Sequence, residues 1–171
     1  MKGPSPYSFR RAIPNDLSMI RRWLYLPEVI RWWGNPVEQI EIITEDIELA
    51  EMATLIVSYR NRPFAFVQHY DAHQWPQDHF EHLPAGTRCM DSFIGVSAMM
   101  GCGHGQMFLS ILIQMIFERG APMIAIDPDP KNERAIRCYE AIGFIGHREY
   151  DTSQGPCLLM TLDPKTPKDN R

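Results

Sequence analysis

The residues best suited to chemistry are three closely spaced glycines, Gly101, Gly103 and Gly105, directly before the apolar segment 107–119. A glycine-rich turn that opens a helix exposes consecutive backbone N–H groups, and the helix dipole adds partial positive charge there. Such a turn can hold a phosphate or pyrophosphate. It does not match the dinucleotide pattern G-x-G-x-x-G, and no Lys-Ser or Lys-Thr completes a P-loop. A glycine cluster of this kind also fits a simple tight turn.

The elements around this turn predict a mixed α/β (α+β) domain with hairpins flanking a central βαβα unit. Runs of branched and aromatic residues predict strands at 7–12, 54–59, 64–70, 89–97, 123–126, 144–150 and 157–162. Apolar residues at helical spacing predict helices after Asn15 and at 27–33, 36–52, 107–119 and 133–141.

Local signals set several element boundaries. Asn15, Asn35 and Asn132 are predicted to cap helices, because an asparagine side chain can accept a hydrogen bond from the first helical turn. Gly143 is predicted to close the last helix. Residues 60–63 predict the turn of an antiparallel hairpin.

The bulk composition restricts the class of protein. With 171 residues and 44% hydrophobic composition, the chain predicts a single domain spanning 1–171, structured over about 7–162 with a flexible tail at 163–171. A net charge of -4 disfavours nucleic acid as a partner and favours a cationic one. Four unclustered cysteines predict free thiols. No signal peptide or membrane span is evident, so a cytoplasmic location is expected.

A second pattern lies at 132–144, where Asn132, Ala135, Tyr139 and the pair Gly143-Phe144 follow one another at fixed spacing. This segment resembles the second half of the acetyl-coenzyme A site of Gcn5-related N-acetyltransferases (GNAT). There the pattern is Asn, two residues, Ala, three residues, Tyr, then Gly-Phe.

The glycine turn fits the same family's pyrophosphate motif, which is Gln or Arg, two residues, Gly, one residue, then Gly or Ala. Gly103 and Gly105 match, whereas Met100 replaces the Gln or Arg and removes one side-chain contact. The resemblance implies acetyl-coenzyme A as cosubstrate. It assigns coenzyme binding to Ile94, Val96, Gly101, Cys102, Gly103, His104, Gly105, Asn132, Ala135 and Tyr139.

Within the family the chain looks most like the aminoglycoside 6′-N-acetyltransferases, through residues 32–34, 90–95 and 126–130. The resemblance implies a mostly antiparallel central sheet with splayed central strands, flanked by helices. It also implies direct acetyl transfer to a primary amine of a small cationic acceptor in a ternary complex, and hence antibiotic resistance.

Amine attack on a thioester needs a neutral nucleophile and a proton for the departing thiolate. By the resemblance, Tyr139 is the expected general acid, and Asp91 is expected to hold or deprotonate the amine. Asp127 is expected to bind the acceptor. The alternatives are a core tyrosine, a solvated strand-end aspartate and an aspartate that closes a turn.

An acceptor pocket for a polycation should combine carboxylates with aromatic surface. Its expected members are Trp33, Gln68, Asp91 and Asp127, with Trp75, Asp78 and Glu81 as further candidates. Trp33 also fits simple core packing. Residues 72–88 are predicted to be a polar loop over this pocket. Its histidines are too loosely spaced for a metal site, so ordinary loop histidines and no metal are expected.

Other acceptors fit the coenzyme motifs equally well. A protein N-terminus or a siderophore hydroxylamine would use the same donor half, and a catalytically idle acyl-coenzyme A-binding module would need no acceptor at all. The scaffold does not decide among these, because function depends on the site built on it. A monomer or weak homodimer is expected by resemblance.

Overall fold

The computed structural model describes residues 5–164, so most of the predicted tail lies outside the described residues. The strands there are β1 (Tyr7–Arg11), β2 (Ala53–Tyr59), β3 (Arg62–Asp71), β4 (Arg88–Ile94), β5 (Ile124–Ile126), β6 (Ile145–Thr152) and β7 (Gly155–Leu162). The α-helices are α1 (Leu17–Leu24), α2 (Pro27–Trp33), α3 (Pro36–Glu48), α4 (His104–Glu118) and α5 (Glu133–Ile142). Short 3₁₀ turns lie at Pro14–Asp16 and Ser97–Met99.

The chain forms two compact units, residues 5–70 with 90–109 and residues 71–89 with 110–164. In the first unit β1 pairs with β2 and β2 with β3, both antiparallel, and β4 lies next to β3. Arg60 and Asn61 form the β2–β3 turn with positive φ angles of 49° and 64°. A two-residue turn of this hand matches the twist of the strands, and it confirms the predicted hairpin.

The core of the first unit lies between its helices and its strands. α1 contributes Ile20, Trp23 and Leu24, which are almost fully buried, and the strands contribute Phe66 and Phe93. Burying side chains of this size contributes about 2 to 3 kcal/mol each before the entropy of ordering is subtracted. The partly buried Leu17 packs against the same core, so the apolar residues of α1 lie on its buried side.

In the second unit the start of β4 pairs in parallel with β5, at Arg88 with Ile124 and Cys89 with Ala125. β5 pairs antiparallel with β7, and β7 with β6. A parallel pair needs a crossover connection, and α4 lies in the segment that joins β4 to β5. The mixed, mostly antiparallel sheet confirms the predicted fold class.

Several boundaries differ from the prediction. Asn15 does not cap α1: the N-cap is Asp16, whose Oδ2 accepts a hydrogen bond from the Ile13 N–H at 2.9 Å. α3 ends at Glu48, before the predicted end near 52, because Arg11 binds the Leu49 and Met52 carbonyls in the connection to β2.

Two further differences flank the glycine turn. β4 ends at Ile94, three residues before the predicted end, because a 3₁₀ turn begins at Ser97. α4 begins at His104, three residues before the predicted start, and its first backbone bond runs from the Met107 N–H to the Gly103 carbonyl at 3.2 Å. His104 and Gly105 therefore belong to the first helical turn.

The segment 72–88 is a loop up to Thr87, as predicted, but it is not polar throughout, and Arg88 already belongs to β4. Its ends are joined by a hydrogen bond from the Ala72 N–H to the Thr87 carbonyl at 2.8 Å. Phe80 is fully buried and His79 and Leu83 nearly so, so the loop has an apolar interior and a polar outer surface. Over residues 5–164, no helix is long and apolar enough to span a membrane, and all four cysteines carry free thiols.

Candidate active site

The glycine turn adopts the backbone that only glycine adopts easily. Gly101 and Gly103 have φ angles of 71° and 84°, in the left-handed region. A Cβ placed on Gly103 would meet no protein atom within 4 Å. The backbone therefore faces open space at the N-terminus of the 15-residue helix α4. N–H groups of a first helical turn point toward such a space and favour an anion there.

His104 faces the interior of the first unit. Its Nδ1 lies 2.7 Å from the Tyr7 hydroxyl, and its ring packs against Tyr59 and Phe64 with centroids 4.8 and 5.5 Å apart. Burial, followed by the nearby Tyr59, raises the pKa of Tyr7, so its hydroxyl stays protonated at neutral pH and is a neutral hydrogen-bond partner of Nδ1. The side chain of His104 thus anchors the turn, and its backbone N–H is the group available to a phosphate.

The rest of the turn is held by contacts of its own. Met100, at the position of the family's Gln or Arg, packs against the core of the first unit. The exposed Cys102 Sγ contacts the carbonyls of Met100 and Ala98 at 3.5 and 3.7 Å. Met100 therefore holds the turn by apolar packing, whereas Gln or Arg at this position would offer a polar side chain.

The residues nominated to bind pantetheine, Ile94 and Val96, are half-buried on either side of Gly95. The Gly95 N–H donates to the Phe64 carbonyl at 2.7 Å. A Cβ on Gly95 would lie 2.1 Å from Cδ2 of Trp23, so the indole ring fills the space of a side chain. Gly95 is a structural requirement of this strand end that the sequence analysis did not identify.

Gln68 on β3 and Asp91 on β4, both expected to bind the acceptor, lie in contact with each other. The Gln68 Nε2 donates to the Asp91 Oδ2 at 3.3 Å. Among the described residues, the buried Oε1 of Gln68 has no hydrogen-bond partner, and neither has the Oγ1 of Thr54, which lies opposite Gln68 in the sheet. A carboxylate beside an unpartnered amide oxygen is an acceptor set for an ammonium group.

Trp33 is half-buried and packs on the core, with its ring 4.8 Å from Phe93 and 6.2 Å from Phe66 in edge contacts. The packing alternative for this residue is therefore present in the structure. A role for the exposed part of its ring in acceptor binding stays a prediction. Aromatic faces of this kind suit the apolar face of a sugar.

The second unit carries the other coenzyme motif. Asn132 caps α5, because its Oδ1 accepts from the Ala135 N–H at 3.2 Å, and Gly143 ends the helix with a φ of 118°. Tyr139 is half-buried and its ring lies 5.7 Å from that of Phe144. Three of the motif residues thus shape the helix that presents Tyr139.

Asp127 follows directly after β5, where sequence reasoning expected it, but it has a partner that was not foreseen. The His79 Nε2 lies 2.9 Å from the Asp127 Oδ2, and the two side chains are 3% and 26% exposed. The interpretation of His79 as an ordinary loop histidine was therefore wrong. Its partner lies 48 positions away, so local sequence carries no signal for the contact.

Cys157 completes this cluster. Ligand atoms of His79, Asp127 and Cys157 lie within 4.8 Å of one another, the one group in residues 5–164 with the composition of a metal site. Burial and the Asp127 charge raise the pKa of the Cys157 thiol to about 11. The nitrogen and oxygen that would face an ion already bond to each other, so the cluster is best described as a hydrogen-bonded pair beside a neutral thiol.

The outer surface of the segment 72–88 contains a groove of 340 Å³. It is lined by His73, Pro76, Gln77, Asp78 and Glu81. Of the further pocket candidates, Asp78 and Glu81 therefore lie on this groove, and Trp75 is exposed.

Comparison with known proteins identifies relatives of this chain whose names state what they do. An aminoglycoside N(6')-acetyltransferase type 1 of Klebsiella pneumoniae is 28% identical over 167 residues, covering 90% of this chain and 81% of that protein. A kanamycin resistance protein of Rhizobium radiobacter is 33% identical over 81 residues, which are 47% of this chain and 75% of that protein.

A solved structure of AAC(6')-Ib in complex with ribostamycin and coenzyme A has a TM-score of 0.85 and 25% identity, over 96% of this chain and 99% of that chain. The acetyltransferase (GNAT) domain family matches residues 12–152, which include the glycine turn and the motif at 132–144. The chain therefore belongs to the GNAT acetyltransferase family and is an N-acetyltransferase.

Proposed function

We propose that this enzyme transfers the acetyl group of acetyl-coenzyme A to the 6′-amine of an aminoglycoside, in a ternary complex. The amine nitrogen forms a bond to the acetyl carbon, the carbon–sulfur bond breaks, the nitrogen loses a proton and the thiolate gains one. Support comes from the relatives named as aminoglycoside acetyltransferases and from the similar structure that holds ribostamycin and coenzyme A.

The observation that carries the acceptor assignment is the pair Gln68 and Asp91. An aliphatic amine reaches the enzyme as an ammonium with three N–H donors. The unpartnered Gln68 Oε1 and the Asp91 carboxylate offer acceptors for two of them. Because carboxylates are weak bases toward an ammonium at neutral pH, Asp91 first binds and orients the cation. Asp91 then takes a proton from the bound ammonium, directly or through water.

The coenzyme is assigned to the remaining motif residues. The pyrophosphate is bound by the backbone of the turn formed by Gly101, Cys102, Gly103, His104 and Gly105. The pantetheine arm follows the main chain of Ile94 and Val96, and Tyr139 gives the proton to the departing thiolate. Phosphate binding by backbone N–H groups at a helix N-terminus needs no basic side chain, which agrees with Met100 in place of Gln or Arg.

A calorimetric titration with acetyl-coenzyme A, followed by thiol release with ribostamycin and kanamycin, tests this function. The matched control is an aminoglycoside that carries a hydroxyl in place of the 6′-amine. We expect binding, and release only with the 6′-amine. Release with peptide N-termini or hydroxylamines but not with aminoglycosides would replace the acceptor. Absence of coenzyme binding would refute the whole assignment.

Tyr139→Phe isolates the proton-donor role. The ring and its contact with Phe144 are kept, so we expect lower turnover with little change in coenzyme affinity. Turnover that equals that of the unaltered enzyme would remove Tyr139 from the chemistry.

A cytoplasmic location follows from the proposal, because acetyl-coenzyme A is a cytoplasmic metabolite. A monomer or weak homodimer is expected, and light scattering of the purified protein measures it.

A further inference from the structure

We propose that His79 is a positioning residue that fixes the Asp127 carboxylate for one ammonium group of the acceptor. This inference rests on the proposed aminoglycoside function and adds a residue from the segment 72–88. His79 is almost fully buried and bonds to the carboxylate of Asp127, both of which are unusual for a histidine in a loop.

The backbone of the segment holds the imidazole in a fixed place. The segment is closed by the bond between Ala72 and Thr87, and the Phe80 N–H donates to the Gln77 carbonyl at 2.9 Å. The His79 ring packs on Phe80 and Tyr150, with centroids 4.0 and 5.8 Å away. A side chain held on two sides loses little further rotamer freedom when it binds its partner.

The backbone next to Asp127 is held by β5 and β7. It follows the three-residue strand β5, and the next carbonyl, that of Pro128, accepts from the Leu158 N–H at 2.8 Å. Its Oδ2 is fixed by His79, while about a quarter of the side chain stays exposed. A carboxylate that has one fixed hydrogen bond and is partly exposed can accept a further donor without rearrangement, which is what preorganised binding requires.

The charge of the cluster suits a cation. The His79 Nε2 lies at hydrogen-bond distance from the carboxylate. In the neutral tautomer that carries its proton on Nε2, the imidazole is the donor and the negative charge of the pair stays on Asp127. The Cys157 thiol, whose pKa is about 11, stays protonated at neutral pH and adds no second negative charge. The pair therefore presents one partly desolvated negative charge, and a charge-assisted hydrogen bond to an ammonium is among the stronger polar contacts.

The variants His79→Leu, His79→Gln, Asp127→Asn and the double variant His79→Leu/Asp127→Asn test the proposal. Leucine fills the buried space and removes the donor, whereas the Gln amide keeps an N–H for the carboxylate. KM for ribostamycin, KM for acetyl-coenzyme A, kcat and the unfolding midpoint are measured for each. Calorimetry gives the Kd of ribostamycin independently of turnover.

For His79→Leu we expect an increase of about tenfold in KM and Kd for ribostamycin, the loss of roughly one charge-assisted bond, with KM for acetyl-coenzyme A unchanged. His79→Gln should stay within about threefold of the unaltered enzyme. In the Asp127→Asn background, His79→Leu should change ribostamycin KM by less than about twofold, because its partner is already altered.

Additive effects in the double variant, or equal increases in both KM values, would overturn the proposal. If His79→Leu does not fold, ribostamycin KM for His79→Gln with and without Asp127→Asn carries the same test. Activity that is lost on chelation and restored by Zn²⁺ would assign the cluster to a metal instead. An unaltered enzyme that binds acetyl-coenzyme A but acetylates no aminoglycoside refutes the proposed function itself, whereas an active one with a silent His79→Leu refutes only this inference.

Discussion

The contact between Gly95 and Trp23 predicts that the smallest possible enlargement, Gly95→Ala, is strongly destabilising. The added Cβ would lie 2.1, 2.2 and 2.7 Å from Cδ2, Cγ and Cδ1 of Trp23, all below any real Cβ contact. Cγ lies on the Cβ–Cγ axis, so rotation of the ring about that bond leaves its overlap in place, and only a change of χ1 or a backbone shift removes all three. Trp23 is only 7% exposed and packs edge-on against Phe93, so its displacement disturbs the core.

Overpacking of a core costs about 1 to 3 kcal/mol, and three overlaps near the ring attachment place this variant at about 3 kcal/mol. For a chain of this length that corresponds to a decrease of roughly 6 to 12 °C in the unfolding midpoint. Thermal and urea unfolding followed by circular dichroism measure it. Because Ile94 and Val96 flank the site, we also expect weaker acetyl-coenzyme A binding in the folded fraction.

Gly146→Ala is the matched control, since its Cβ would meet Leu158 at an ordinary 3.6 Å. It should change stability by less than about 0.5 kcal/mol, because the added methyl group is exposed and meets no close atom. The double variant Gly95→Ala/Trp23→Leu tests the cause: on the background of Trp23→Leu, Gly95→Ala should cost much less. A Gly95→Ala enzyme as stable as Gly146→Ala would refute the steric reasoning.

Three other substitutions test the remaining features. Gly103→Val should weaken acetyl-coenzyme A binding at least tenfold in calorimetry, whereas Gly155→Val, equally open with a φ of 112°, should not; equal affinities would remove the turn from the site. Asp91→Asn should lower kcat/KM for ribostamycin at least tenfold with acetyl-coenzyme A affinity unchanged, and unchanged kinetics would exclude the residue. The hydrogen bond from Arg10 lowers the pKa of Asp16, so Asp16 stabilises the fold above its unfolded pKa and loses this effect as pH falls through its folded pKa. Asp16→Asn should therefore cost about 2 kcal/mol at pH 7 and progressively less as pH falls through the folded pKa of Asp16, which lies below 3.8, in urea titrations at each pH; a cost independent of pH would contradict this.

Local hydrogen bonds explain which parts of the fold the sequence predicted. Asn35 and Asn132 cap their helices through N–H groups two and three residues away, which a short motif encodes completely. Asn15 is not the cap because it lies inside the 3₁₀ turn Pro14–Asp16, and Asp16 at the cap position binds the Ile13 N–H and the Arg10 guanidinium instead of the first turn of α1. The Arg10 guanidinium belongs to β1, which lies outside the residues of a helix-capping motif, so the motif cannot predict this contact.

The site shows the same division. The glycine turn and the cap at Asn132 were predicted, because backbone conformation and spacing are written in adjacent residues. The burial of His79 and the packing of Trp23 on Gly95 depend on residues 48 and 72 positions away along the chain. Contacts of this kind arise from the arrangement of strands and loops, so the residue types alone give no sign of them.

The Tyr7–His104 hydrogen bond has a consequence for the order in which the enzyme becomes competent. Its partners are 97 positions apart, and closing a loop of that length costs about 4 kcal/mol in chain entropy. During synthesis β1 leaves the ribosome first, but the Tyr7–His104 bond cannot form until the start of α4 has also been synthesised. The anchor of the glycine turn is therefore completed late, so a growing chain shorter than about 100 residues has no anchored glycine turn.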